Sequence, residues 1–414
     1  MNRRAFLMTT TALPLSFGFA SIARAGGALA LPLPPRGTLS KELTDKYIKD
    51  TGGTLNIETQ GWDEIHTKIV PSMVANTAPA TGAELDWSWV GQFGAAGWYD
   101  DLSALVPPDV LADIPTAAIF TCDGKLIGVP YNNDFRVMIY NKAHRDAAGT
   151  AVPTTLDELL AAARAVKAKG ASEFPIGLPL SVSEEAATAW YMLTRAFGGD
   201  LFDADFKPLF TTPESAGFKA MQFEVDALKE GLIDPASTRL KDNEVPELFK
   251  ADKITFDLAG QAGILAVYTD ATKSTVSADA HAALVPNVTG KSRSFGLPEA
   301  VGLPVSAENK DQLATYLTWM LQPDVMVANY KALGVLPTRL SVLASLGKDG
   351  SLKEGEILVA QSAVAELRFA QGTPGWYSEF PGAVQSALNA AAKGQIDVAT
   401  AMTQIADAAA AAQQ

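Results

Sequence analysis

Apolar and polar positions near the start of the chain follow a pattern that is typical of strands separated by amphipathic helices. Alternating leucines predict a strand over 29–33, and the run 55–59 predicts another. Between them, Ser40 can cap a helix that Gly52 ends. Strand, helix and strand within a few tens of residues form a βαβ unit. We therefore expect an α/β fold with a parallel sheet and helices on its faces.

A further strand is predicted to end at Asp86 and Trp87, directly before a helix that begins near Val90. Ligands of open α/β sheets collect at the carboxyl ends of strands, which makes these two residues candidates for ligand contact. Farther along, Thr155 and Glu158 form a capping box at the start of a helix. The remaining chain reads as mostly helical, and its alanine-rich end predicts one or two helices.

Two apolar runs flank a cluster of polar residues in the middle of this pattern. The first run, 125–129, follows the turn pair Asp123-Gly124 and is expected to end at Pro130, and the second covers 137–140. The residues between them can all form hydrogen bonds: Tyr131, Asn132, Asn133, Asp134 and Arg136. Such a cluster is either a solvated turn or the lining of a cleft.

Length, composition and charge restrict the function classes. A chain of 414 residues suggests two domains, and 48% hydrophobic with 19% charged residues is ordinary for a packed globular protein. The formal net charge of −13 repels phosphate backbones and anionic lipid. Nucleic acids and membrane surfaces are therefore not expected partners.

The first 25 residues resemble an export signal. Arg3-Arg4 fits the twin-arginine pattern, an apolar stretch follows, and Ala23–Ala25 is an A-x-A cleavage site. Ordinary export is the alternative, because Met8 replaces the usual basic residue. A membrane anchor is disfavoured since the apolar stretch is short and broken by Pro14. Cys122 is the only cysteine, so neither an internal disulfide nor a lipid-modified cysteine at the cleavage site is expected. We expect a soluble periplasmic protein.

No catalytic motif is visible in the sequence. His66, His144 and His281 are far apart, which argues against a metal site. The adjacent acids Glu184-Glu185 predict solvated surface. No G-x-S-x-G, P-loop or dinucleotide-binding glycine run is present. Glycosidase carboxylates have no fixed sequence spacing, however, so an exported carbohydrate-active enzyme stays an alternative.

The segment D-G-K-L-x-G-V-P-Y (123–131), followed by Y-N-K (140–142) and P-x-T-x-x-E-L-L (153–160), resembles the centre of the family 1 extracellular solute-binding proteins. These are the receptors of carbohydrate ABC importers. The resemblance implies a two-lobed periplasmic-binding-protein fold of the type II kind, with a ligand cleft between the lobes. It also implies capture of a mono- or oligosaccharide by hinge closure and delivery to an ABC permease, by a monomer that needs no cofactor and is not an enzyme.

The resemblance also predicts how the chain divides between the lobes. Residues 26–136 and about 285–336 form lobe 1, and residues 137–284 and about 337–414 form lobe 2. The polar cluster after Pro130 would then lie at the hinge and face the cleft.

Sugar binding requires flat apolar rings for the C–H faces of the sugar and polar groups for its hydroxyls. On this basis we select eleven candidate ligand-binding residues: Trp62, Asp86, Trp87, Asn133, Asp134, Arg136, Trp190, Gln261, Glu299, Arg339 and Trp376. Core packing is the alternative for Trp190, which lies on a predicted helix. Loop anchoring is the alternative for Arg339.

A receptor of the same fold for a non-sugar solute is the main competing interpretation. The solute would then be a polyamine, an organic anion or a sugar sulfonate. An anionic ligand would require Arg36, Arg136 or Arg339 in the cleft.

Overall fold

The computed structural model describes residues 28–240, 244–369 and 371–414, so the predicted leader lies outside the described residues. The strands are β1 (Leu29–Leu33), β2 (Leu55–Thr59), β3 (Ala83–Asp86), β4 (Thr121–Cys122), β5 (Lys125–Leu126), β6 (Val129–Asn132), β7 (Arg136–Asn141), β8 (Ile176–Gly177), β9 (Phe256–Gln261), β10 (Ala280–Ala283), β11 (Ser294–Phe295), β12 (Glu299–Gly302) and β13 (Ala365–Glu366).

The helices are α1 (Lys41–Thr51), α2 (Trp62–Val74), α3 (Val90–Ala95), α4 (Pro108–Ala112), α5 (Lys142–Ala148), α6 (Leu156–Lys169), α7 (Glu184–Ala196), α8 (Ala216–Lys229), α9 (Glu244–Lys250), α10 (Leu265–Tyr268), α11 (Lys310–Met320), α12 (Pro323–Leu333), α13 (Leu340–Lys348), α14 (Gly355–Ala363), α15 (Pro381–Ala392) and α16 (Val398–Ala412). Within the described ranges, none of them is both long and apolar enough to span a bilayer.

The first lobe is built on strands β1 to β3, β6 and β12. β1 and β2 pair in parallel with α1 between them, as the βαβ pattern predicts. The hydroxyl of Ser40 caps α1, and Gly52 ends it in the left-handed conformation. β12 lies between β3 and β6 and is antiparallel to both.

Strand β6 corrects the expectation that Pro130 ends the preceding strand. Residues 125–126 instead pair with β4 in a short hairpin, and β6 begins at Val129 and continues through Pro130. Pro130 is tolerated because β6 is an edge strand of its sheet, the position to which proline is usually confined.

The second lobe contains a sheet of order β10-β7-β9-β8, in which β7 is antiparallel to both of its neighbours. The capping box of Thr155 and Glu158 begins α6, as predicted. Helices α7, α8, α15 and α16 pack against one another and account for the helical character of this lobe. The alanine-rich end forms two of these helices.

Three chain segments cross between the lobes side by side. Residues 133–135 join β6 to β7, residues 296–298 join β11 to β12, and residues 334–339 join α12 to α13. The amide of Leu297 donates to the carbonyl of Asp134 at 2.7 Å, and the amide of Asn133 donates to the carbonyl of Leu336 at 3.1 Å. The crossings therefore form one hydrogen-bonded hinge.

The contacts of residues 285–295 correct the expected point of return to the first lobe. Asn287 bridges to Thr155, the amide of Val288 donates to Ala196, and β11 pairs with β13. All of these partners belong to the second lobe. The return therefore occurs at 296–298 rather than near residue 285.

Candidate functional site

A cavity of about 150 Å³ lies between the two lobes, beside the hinge. Its walls come from Arg36, Trp62, Asp86, Trp87, Asp134, Arg136, Glu184, Glu185, Thr188, Gln261, Leu297 and Glu299. Seven of the eleven candidate residues are among them. The cavity thus gathers side chains from segments that are far apart in sequence, and from both lobes.

The first lobe contributes the ends of two paired strands. Asp86 is the last residue of β3 and lies opposite Glu299, the first residue of β12. The amide of Ser88 donates to Oδ1 of Asp86 at 2.8 Å, which fixes the carboxylate at the start of the following turn. Asn132 of β6 donates to Oε2 of Glu299 at 2.7 Å. Both carboxyl groups are therefore positioned by the sheet itself.

The hinge contributes Asp134 and Arg136, which are both buried. Nη2 of Arg136 lies 3.9 Å from Oδ2 of Asp134. Oδ1 of Asp134 and Nε of Arg136 have no hydrogen-bond partner among the described residues. A buried polar atom left without a partner costs about 1–3 kcal/mol, so a ligand that bonds to these atoms recovers this free energy.

The second lobe contributes Gln261, at the end of β9, and the first turns of α7. The guanidinium of Arg36 donates to Oε1 of Gln261, and this hydrogen bond connects the two lobes across the cavity. Glu184 and Glu185 also line the cavity. Glu184 is exposed and Glu185 is half-buried, so this acid pair keeps the expected contact with solvent while it also borders the interlobe cavity.

Burial removes water from the carboxyl groups of the site, and this loss of hydration is the largest influence on their pKa values. Burial raises the pKa of Glu299 to about 7, against the opposing effects of the Asn132 hydrogen bond and the charge of Arg36. The pKa of Asp86 is also raised by loss of hydration, although its hydrogen bonds from Ser88 favour the ionised form. Burial raises the pKa of Asp257, on β9, to about 6. Glu299 in the cleft and Asp257 beside it thus titrate close to neutral pH.

The two tryptophans of the cavity differ in the surface they offer. Trp62, at the start of α2, is 38% exposed, whereas Trp87 is only 6% exposed. The guanidinium carbon of Arg368 lies 3.8 Å from the Trp87 ring centroid, and Tyr377 packs edge-on with a centroid distance of 5.0 Å. Trp87 therefore offers little ring surface to the cavity, and Trp62 is the more open indole.

Trp190 and Trp376 do not line the cavity. Trp190 is fully buried, and its Nε1 donates to the carbonyl of Gly217 at 2.8 Å, so the alternative of core packing describes it. Trp376 packs edge-on against Phe202 and Phe380 in the second lobe. The aromatic environment of each ring is supplied by the protein, and we leave both residues out of the proposed site.

Asn133 and Arg339 also lie away from the cavity. Nδ2 of Asn133 donates to Oγ of Ser362 at 3.1 Å, inside the protein. Nε of Arg339 donates to Oδ2 of Asp113 at 2.8 Å. Both side chains tie distant segments together, which for Arg339 is the loop-anchoring alternative, and neither is carried into the proposed site.

Arg368 is the residue of this region that sequence reasoning missed. It is buried, and its guanidinium lies 4.3 Å from the ring centroid of Tyr191 and 4.9 Å from that of Phe295. No motif or spacing marks Arg368, because its partners come together only in the folded chain. Thr188, on the inner face of α7, likewise carried no signal beyond helical periodicity.

Comparison with known proteins agrees with this architecture. The profile of the bacterial extracellular solute-binding protein family matches residues 33–327. A probable amino-acid ABC transporter periplasmic-binding protein of Sinorhizobium fredii is 24% identical over 360 residues, which cover 82% of this chain and 78% of that protein.

Two solved structures share the fold. A solute-binding protein from Thermotoga lettingae bound with α-D-tagatose superposes with a TM-score of 0.78 at 20% identity, covering 94% of this chain and all of that one. Maltose-bound MalE3 of T. maritima superposes with a TM-score of 0.76 at 20% identity, covering 92% and 99%. With a family match over most of its length and a two-lobed architecture enclosing a cleft, the chain belongs to the bacterial extracellular solute-binding protein family.

Proposed function

We propose that this protein captures a sugar or polyol outside the cytoplasmic membrane and delivers it to an ABC permease. The observation that carries the proposal is the composition of the interlobe cavity. One open indole, Trp62, stands beside the carboxyl groups of Asp86, Asp134 and Glu299 and the guanidinium of Arg136. An indole covers the C–H face of a sugar, and charged groups form strong hydrogen bonds with its hydroxyls. The structural neighbours bound with tagatose and maltose support this ligand class.

Binding is proposed to act through closure of the lobes about the three-segment hinge. The two lobes that move are those predicted from the sequence, except that the second crossing between them is placed at 296–298. A ligand that contacts Glu299 on one lobe and Gln261 on the other binds the closed form more tightly than the open form. It therefore shifts the population toward closure by that difference in affinity. The permease would then recognise the closed form.

An amino acid is the second candidate ligand, for a specific reason. The cavity holds guanidinium groups, which suit a carboxylate, and carboxyl groups, which suit an ammonium group. A relative named as a probable amino-acid ABC transporter periplasmic-binding protein also favours this ligand class. An organic anion without an amine is less well suited, because carboxyl groups outnumber guanidinium groups around the cavity.

A thermal-shift screen tests the proposal. Hexoses, hexitols, disaccharides, amino acids and polyamines are added separately, each at about a hundred times an expected micromolar dissociation constant. A ligand at this excess stabilises the folded state by about 2.7 kcal/mol, which is readily visible as a higher melting temperature. Stabilisation by a carbohydrate or polyol supports the proposal, and stabilisation by amino acids or polyamines alone overturns it. Chromatography of the incubated sugars for products tests the enzyme alternative.

A further inference from the structure

The size of the interlobe cavity points to a short ligand. Its volume is about 150 Å³, and an adjoining cavity of about 90 Å³ shares Arg36, Arg136 and Gln261 with it. Even together, the two stay below the roughly 300 Å³ at which pockets for drug-sized ligands begin. An apolar cavity of about 150 Å³ holds a single six-membered ring such as benzene. The space therefore suits one sugar unit.

Side chains of the protein border the cavity on two sides. On one side, the hydrogen bond from Arg36 to Gln261 spans the gap between the lobes. On another side, the wall includes Trp87, Thr188 and Glu184, and Arg368 contacts all three of them. Arg368 stacks on Trp87, its Nη2 donates to Oγ1 of Thr188 at 3.4 Å, and its Nη1 lies 3.6 Å from Oε1 of Glu184.

The space that Arg368 fills has the character of a sugar subsite. Its guanidinium is surrounded by the rings of Trp87, Tyr191, Phe295 and Tyr377 at centroid distances of 3.8 to 5.7 Å. A second sugar ring would need flat aromatic rings against its C–H faces and a nearby carboxyl group for its hydroxyls. With Arg368 in place, the only indole that the cavity presents openly is Trp62, so there is a stacking surface for one ring.

We propose that the site takes a single unit, a monosaccharide or an acyclic polyol of about six carbons, and that Arg368 is the specificity-determining residue that excludes longer chains. This inference rests on the proposed sugar-binding function. The structural neighbours do not decide the length of the ligand, because one is bound with a monosaccharide and the other with a disaccharide.

Calorimetry on the full-length protein tests the inference with two sets of probes. Glucose, galactose, tagatose and mannitol represent single units, and maltose, lactose and trehalose represent two. We expect at least one single unit to bind, and every disaccharide to bind at least a hundredfold more weakly. A disaccharide that binds as tightly as the best single unit overturns the inference but leaves the proposed function intact. Binding of neither set overturns both.

Variants of Arg368 test its role in length selection. Arg368→Ala opens the space behind Trp87 and should reduce the discrimination against disaccharides at least tenfold. Arg368→Met retains a long side chain and should leave the discrimination within about threefold of wild type. Arg339→Ala is the matched control, because it removes an arginine that pairs with Asp113 outside the cavity. Unchanged discrimination in folded Arg368→Ala overturns the assignment. If that variant does not fold, Arg368→Gln, with a shorter polar side chain, replaces it under the same criterion.

Discussion

The side-chain nitrogen of Asn132 lies 2.7 Å from Oε2 of Glu299, so a neighbouring strand holds the cleft carboxyl group from one side. The hydrogen bond favours the ionised form, yet burial outweighs it and raises the pKa of Glu299 to about 7. The position of this group therefore makes both stability and ligand binding sensitive to pH in the neutral range.

The pH dependence of stability follows from the direction of this pKa. Folding raises the pKa of Glu299 from an ordinary value near 4.5, so the folded state binds the proton more tightly than the unfolded state. The resulting stabilisation is complete below about pH 4.5 and is lost as the pH rises through about 7. It amounts to roughly 3 kcal/mol. We expect urea denaturation of the ligand-free protein to show a lower free energy of unfolding at pH 8 than at pH 5.

Glu299→Gln provides the control for this prediction. The variant cannot ionise, so its free energy of unfolding should fall less over the same interval. Asp257, whose pKa burial raises to about 6, contributes a decrease of the same sign in both proteins. Equal slopes for wild type and variant would show that Glu299 does not carry the pH dependence.

Trp62 should contribute to ligand affinity and little to stability. Its ring is 38% exposed at the cavity, and covering such a ring with a sugar is worth about 1.5–3 kcal/mol. Trp62→Ala should therefore weaken binding of the identified ligand about ten- to a hundredfold, measured by calorimetry. The expected change in the free energy of unfolding is within about 0.5 kcal/mol.

Trp190 is the matched tryptophan for that experiment. It is fully buried and bonded to the carbonyl of Gly217. Trp190→Phe should lower the free energy of unfolding by about 1–3 kcal/mol and leave affinity within about twofold. The opposite pattern, with affinity lost in Trp190→Phe and kept in Trp62→Ala, would exclude the assignment of Trp62 as the stacking ring.

Gln261 should affect the balance between open and closed lobes. Gln261→Ala removes the acceptor of the Arg36 hydrogen bond that spans the cleft, a contribution of about 1 kcal/mol. We expect a larger radius of gyration for the ligand-free variant in small-angle scattering, together with roughly fivefold weaker ligand binding. Gln222→Ala is the control, since the amide of Gln222 donates to Asp226 within α8 at the surface, far from the hinge in sequence. Identical scattering from both variants would show that the bond between Arg36 and Gln261 does not hold the lobes together.

Glu224 is a buried carboxyl group that we expect to destabilise the second lobe. It lies on α8 and is 1% exposed, and neither of its carboxyl oxygens has a hydrogen-bond partner in the described part of the chain. Burial raises its pKa well above the ordinary range. Glu224→Leu should increase the free energy of unfolding by about 1–3 kcal/mol at pH 7. The exposed Glu214→Leu should change it by less than about 0.5 kcal/mol. A destabilised Glu224→Leu would indicate that the carboxyl group is satisfied in solution.

Features set by local interactions could be predicted from the sequence. The capping box of Thr155 and Glu158 needs only one helical turn, and the placement of Asp86 beside the cleft needs only the position of a strand end. The hinge position of Asp134 and Arg136 followed from a family resemblance. In each case, the determining residues are close together or carry a recognisable motif.

Features set by side-chain direction could not be predicted in this way. Trp190 and Trp376 are tryptophans like Trp62, and the sequence does not distinguish their roles. In the folded protein, however, the rings of Trp190 and Trp376 pack inside the second lobe. Asn133 neighbours Asp134, yet it points to Ser362. Arg368 reaches Trp87 only because a late segment folds back onto the first lobe. Such relationships depend on the whole fold and leave no local pattern.

The order β3-β12-β6 has a consequence for how the protein is made. The middle strand of this sheet is β12, which emerges from the ribosome long after its two neighbours. Until then, β3 and β6 have no common partner, and each presents an unpaired edge of the kind that promotes aggregation. Closing so long a loop is entropically costly and slows folding. The first lobe can therefore be completed only after most of the chain has been synthesised. A nascent fragment that ends before Gly302 needs protection from aggregation.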